Sequence, residues 1–135
     1  MNNVITEAAA KGIILLPSRY SVAETMNLLA QTIKAHGLTI FASIDFSGDA
    51  QVAGMVMRPT QMLIFGNPKA GTPLMNVSPT AALDLPLKAL ISQYPDNSVW
   101  VAINDPRYLQ KRHDIPEELV KNISGAGDLI KAALQ

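Results

Sequence analysis

Two groups of residues in this sequence have the types and spacing that chemistry uses. The first is Gly66-Asn67-Pro68-Lys69-Ala70-Gly71-Thr72-Pro73, directly after the apolar run Met62-Leu63-Ile64-Phe65. A glycine-rich loop leaving a buried strand is where backbone N–H groups can cradle phosphate. A phosphate loop, however, has lysine directly after its second glycine and then serine or threonine. Here Thr72 takes the lysine position, and Pro68 removes one N–H. Those departures set nucleotide hydrolysis aside. They leave a rigid Gly/Pro turn or a backbone-lined pocket for a small polar or anionic ligand, with Asn67 and Thr72 at its rim.

The second group is Asp45, Arg58, Asn104, Arg112 and His113. Asp45 and Arg58 flank the small, mixed connection 47–57, so they are expected to meet at one end of a sheet. As a pair they would either fasten that connection or serve as an acid and an anion clamp. The expected pocket is the sheet end formed by Asp45, Arg58 and the 66–73 loop, closed by Asn104, Arg112 and His113.

The rest of the reactive inventory is thin. His36 and His113 each fall in the last turn of an expected helix, where a cation or polar ring is ordinary. Neither has a second histidine four residues away, and Glu117, four past His113, lies beyond Pro116 at the start of the next expected helix, so no metal site and no cofactor are expected. There is no cysteine and no Gly-x-Ser-x-Gly elbow, which removes the usual nucleophiles. Met55, Met57, Met62 and Met75 gather around the central stretch and are expected to pack a core or an adaptable dimer surface.

The elements that must position these residues follow from periodicity. Residues 1–11 read as a tail or short helix, and 12–135 as a single domain. Ile13–Leu16 is apolar on both faces, as a strand inside a sheet would be. Ser21 and Glu24 form a capping box ahead of Val22, Met26, Leu29 and Ile33 at helical spacing, and Gly37 ends that helix. Leu38–Phe46 alternates, with Leu38, Ile40, Ala42, Ile44 and Phe46 on one face. A short helical piece is expected around Asp49–Ala53, and the central strand at 62–65.

Residues 72–80 are expected to hold one helical turn at most. Leu83–Ser92 alternates again, but Pro86 within it suggests an edge or a bulge. Tyr94-Pro95-Asp96-Asn97 is turn chemistry, and Val99, Val101 and Ile103 return as the second strand of a hairpin. Asp105-Pro106 starts a helix. Another starts near Ile115-Pro116, with Gly125 and Gly127 expected to interrupt it. Strands and helices do not alternate regularly, so the expected fold is α+β: one mostly antiparallel sheet with helices on one face, a two-layer sandwich.

With the strands placed, RPTQMLIFGNPKAGTPLM, AALDLPLKAL, VAINDP and YLQKRH together resemble the domain of unknown function 302 family, from about Gly12 to the C-terminus. The residues that carry the resemblance are Asp45, Arg58, Pro59, Gly66, Asn67, Pro68, Thr72, Pro73, Asp84, Pro86, Asn104, Tyr108, Arg112 and His113. The resemblance implies a TATA-binding-protein-like α+β fold, often a homodimer, and no settled activity. Members frequently carry histidine directly after the aspartate that ends the second strand. Phe46 stands there in this chain, which removes the basis for an acid–base or metal role at that position.

Composition bounds the partners. Apolar residues make up 48% of the 135, enough for a core without cross-links. Eleven basic and eleven acidic side chains cancel, so no global field favours nucleic acid or an anionic membrane. No apolar run approaches the roughly 20 residues of a membrane span, and the first residues have no signal-peptide pattern. A mature exported form would look the same as a cytoplasmic one. The leading expectation is a small dimeric ligand-binding or accessory domain without demonstrated catalysis. The alternatives are an enzyme for a small polar or anionic substrate, using Asp45 or His113 as acid–base and Arg58 as clamp, and a structural module that binds only its own copy.

Overall fold

The structure, a computed structural model, describes residues 2–135. Five strands form one antiparallel sheet in the order β1-β5-β4-β3-β2: β1 Ile13–Ser18, β2 Thr39–Asp45, β3 Thr60–Gly66, β4 Leu87–Gln93 and β5 Val99–Asn104. The helices are α1 Asn2–Ala10, α2 Val22–Ala35, α3 Phe46–Val52, α4 Pro68–Val77, α5 Pro106–His113 and α6 Glu117–Ala133, with a 3-10 turn over Pro79–Leu83. The fold is therefore α+β on one antiparallel sheet, but the expected confinement of the helices to one face does not hold, because α1 lies on the face opposite α2 and α6.

The main core lies between the sheet and helices α2 and α6. Leu29 and Ile33 of α2 and Ile130 of α6 are fully enclosed against Leu63, Phe65, Ile91 and Val101. The capping box holds as expected: the Glu24 N–H donates to Ser21 Oγ, and the Ser21 N–H donates to Glu24 Oε1. On the other face, α1 covers only the β1–β5 side, packing Ala8 on Leu15 and Trp100. A second cluster closes the sheet end where β3 and β5 finish, joining Leu74 of α4, Ala81, Leu109 of α5, and Val120 and Ile123 of α6. Gly12 at φ +76 lies under the Tyr108 ring, which a Cβ would strike.

Four sequence expectations change. The 66–80 stretch is not a loop with one turn: Asn67 caps a ten-residue helix with Pro68 in its first turn. Pro73 sits inside that helix and cannot donate there, yet the fully buried Leu74 holds the helix to the second cluster. Pro86 is not within a strand, because β4 begins one residue later and runs in the middle of the sheet. Gly125 and Gly127 do not interrupt α6. At Gly127 a Cβ would come within 3.2 Å of Ile103, so the glycine lets helix and sheet approach.

The alternation of β2 is also broken. The register shifts between Ile40, opposite Phe65, and Ala42, opposite Ile64. Residues opposite one another share a face, so Ile40 faces the core with Phe65, while Ala42 and Ile44 turn to the outer face with Ile64 and Met62. A bulge adds one residue and inverts the pattern beyond it.

Candidate functional site

Antiparallel pairing separates the candidate residues into two places. Asp45 lies opposite Gln61 at one end of the β2–β3 pair, and Thr39 lies opposite Gly66 at the other. The seven-residue length of β3 puts about 20 Å between those ends at about 3.3 Å per residue. Asp45 and Arg58 therefore share no pocket with Asn67, Thr72, Asn104, Arg112 or His113. The single sheet-end pocket of the sequence reading is corrected by the topology.

At the first end, Asp45 caps α3 and is exposed. Its Oδ1 accepts from the Gly48 N–H at 3.0 Å and from the Ser47 hydroxyl at 2.8 Å. Arg58 forms no ion pair with it among the described residues. Arg58 is exposed. The expected Asp45–Arg58 pair is absent.

Asp45 is held below the ordinary carboxylate range, first by the Gly48 N–H and then by the Ser47 hydroxyl. Glu117 is lowered in the same sense by Gln110 and Arg107. A depressed folded value stabilises the fold above the unfolded value, and that contribution is lost as pH falls through the folded one. The gap in thermal midpoint between wild type and Asp45→Ala, present at pH 7, is thus expected to narrow below about pH 4. Scanning unfolding at pH 7 and pH 3 checks it. A constant gap would mean that the cap does not depend on the charge.

The second end holds two arrangements. One is a polar chain on α5. His113 Nε2 meets Asp84 Oδ2 at 2.5 Å, and His113 Nδ1 meets Thr80 Oγ1 at 2.9 Å. The carboxylate only accepts, so Nε2 carries hydrogen, and in the neutral ring Nδ1 accepts from the Thr80 hydroxyl. Arg112 Nη1 reaches both Asp84 oxygens, at 3.0 and 3.2 Å. The His113 side chain is 3% exposed and that of Asp84 17%. Asp84 and Thr80, four apart across the 3-10 turn, were not among the site candidates, although Asp84 lies in the motif AALDLPLKAL.

The other arrangement is an apolar cavity of about 110 Å³ where β3 leaves the sheet. Phe41, Met75, Leu85, Pro86, Leu87 and Ile123 supply its larger apolar side chains, and the Leu85–Pro86 peptide bond is cis. The bulge in β2 brings Phe41 against Gly66, 3.6 Å from where a Cβ would stand. Asn67 lines the cavity, but its Oδ1 accepts from the Lys69 N–H, and its carbonyl takes the N–H groups of Ala70 and Gly71. Pro68 has no N–H. The donors at the start of α4 are therefore occupied, which removes the phosphate cradle. Thr72 is exposed on α4 and Asn104 ends β5; neither lines this cavity.

A wider groove of about 300 Å³ adjoins the cavity through Gly66, Asn67 and Asn122 and adds His36 and Lys121. Asn122 Nδ2 donates to the Ala70 carbonyl at 3.0 Å, fastening α6 to the first turn of α4. No sequence signal marked Phe41 or Asn122, because a bulge and a helix-to-helix contact created their roles.

Three comparisons bear on this arrangement. The family model "Domain of unknown function DUF302" matches residues 14–134. The chain is 40% identical over 104 residues to the fluoride-specific ion channel FluC 1 of Brucella suis biovar 1, covering 77% of this chain and 41% of that protein. It matches FluC 1 of Brucella abortus biovar 1 equally well, over 38% of that protein. The chain thus spans about two-fifths of the length of the curated relatives it matches. Its fold is similar to the crystal structure of an uncharacterized conserved protein DUF302 from Bacillus stearothermophilus. The TM-score is 0.79 at 16% identity, over 92% of this chain and 98% of that one.

Proposed function

From the premise that this chain belongs to the domain of unknown function DUF302 family, we propose that it is a dimeric accessory domain that binds a small ligand at the Phe41–Ile123 cavity. The cavity carries the reading. Ligand sites are concave, mostly apolar and lined by a few polar groups, and this one has Asn67 and Asn122 beside its apolar wall. The accessory part draws support from the Brucella channels. No helix among the described residues is long and apolar enough to cross a membrane, so a spanning path in those proteins is sought outside the shared segment.

Two apolar surfaces favour the dimer, one half-buried on the outer sheet face and one exposed. Met62 lies between Ile44 and Leu90 on the outer sheet face, beyond the reach of α1. The end of α3 and the connection after it present Val52, Met55, Val56 and Met57 to solvent, Val56 being 99% exposed. Patches of this kind mark association sites, and a two-fold interface uses the same patch on both copies.

An enzyme with Asp45 or His113 as acid–base and Arg58 as clamp is not favoured, since His113 lies at the opposite sheet end from Arg58 and the Asp45 carboxylate is engaged as the α3 cap. His113 and Thr80 do not border the cavity.

Native mass spectrometry tests the reading, with a denatured control and the Gly71→Leu variant. Gly71 lies in α4 on the cavity wall, where an added Cβ would rest 3.9 Å from Met75. The variant is expected to keep or raise stability, by about 0.5–1 kcal/mol from helix propensity, while losing the non-covalent mass that wild type carries. Equal bound mass in both proteins would place the ligand elsewhere. Bare protein throughout would remove the binding reading.

A further inference from the structure

We propose that the ligand is an amphipathic anion: an apolar head of aromatic-ring size in the cavity, and a carboxylate in the adjoining groove beside Lys121. This rests on the binding reading above and names its ligand class. The size comes from the cavity. At about 110 Å³ it is of the order of an engineered apolar cavity of about 150 Å³ that takes up benzene. Its aromatic, thioether and branched walls suit a flat, uncharged group, and no ionisable side chain lines it.

The second half of the ligand follows from where the cavity opens. The groove shares Asn67 and Asn122 with the cavity, so one molecule can occupy both. Among the described residues its lining contains Lys121 and His36 but no carboxylate. Lys121 forms no ion pair among those residues, which leaves its ammonium for a ligand. A cationic tail would meet Lys121 unfavourably, and a neutral one would forgo the contact.

The test uses probes with one head and three tails: phenylacetate, 2-phenylethanol and 2-phenylethylamine, titrated into the full chain. The reporters are the backbone amides of Gly66, Gly71 and Gly125 in proton–nitrogen spectra. Phenylacetate is expected to bind about fivefold more tightly than the alcohol, the scale of one exposed charge contact, and the amine more weakly than either. Lys121→Gln is expected to abolish the preference for the acid and leave the alcohol unchanged. Equal binding of acid and alcohol by wild type would overturn the anion assignment and leave the pocket standing. If no probe moved the Gly66 or Gly71 amides, both the ligand class and the pocket would fall.

Discussion

Alanine at Asp84 is expected to lower the free energy of unfolding by about 2–3 kcal/mol, the scale of leaving a buried donor without its acceptor. The His113 ring is almost wholly enclosed, so the Nε2 hydrogen that now meets Asp84 Oδ2 would have neither carboxylate nor water. The ring would also lose the restraint that presents Nδ1 to Thr80, and with it the tie between the 3-10 turn and the end of α5. The Arg112 contact adds little, because its side chain is 48% exposed. Arg112→Gln is therefore expected to cost under about 1 kcal/mol. Asp84→Asn retains an acceptor but not the charge, and should fall between the two. Urea unfolding with an unchanged denaturant slope checks the series. A cost for Asp84→Ala no greater than that for Arg112→Gln would show that the chain is an exposed decoration rather than a tie across the second cluster.

Where the sequence was readable, the cause was local. Ser21 and Glu24 are three residues apart and satisfy each other's backbone, so their helix start needs no partner elsewhere. Asp105-Pro106 behaves likewise, and the alternation of Val99, Val101 and Ile103 survives because β5 is paired on both sides. Edge strand β2 has one neighbour and can admit an extra residue. Nothing in Leu38–Phe46 announces that Ile40 and Ile44 will face opposite ways. Pro73 and the two glycines of α6 argue locally against helix, and tertiary contacts of Leu74 and Ile103 outweigh them.

The candidate site was harder to read. Once β2 and β3 are antiparallel neighbours, Asp45 must lie at the start of β3 and Asn67 past its end, so a motif that spans both cannot be one pocket. His113 and Arg112 were legible as polar helix-end residues, but their meeting with Asp84 depends on how α5 folds back. The cavity depends on still more distant relations, between a bulge, a proline ahead of β4 and the middle of α6.

The inversion in β2 has a consequence for assembly. Turning Ile44 outward completes a row, Ile44–Met62–Leu90, across three adjacent strands on the face that α1 leaves uncovered. Aspartate at Leu90 is expected to weaken self-association at least about 100-fold, since a lone charge at the centre of an apolar interface must be desolvated without a partner. Core collapse is not expected in the monomer, because Ala89 and Ile91 carry the core face of β4 and Leu90 points away from it. Sedimentation equilibrium over a range of protein concentrations gives the constant, and an unchanged thermal midpoint for the dilute protein shows that the fold survives. Val56→Ser separates the two apolar surfaces. A loss comparable to that of Leu90→Asp would mean that the 52–57 connection reaches onto the partner's sheet, whereas an unaltered constant would confine the interface to the face itself. If Leu90→Asp stayed as dimeric as wild type, the row would be an ordinary half-buried sheet face. A wild-type chain sedimenting as a monomer would end the dimeric reading altogether.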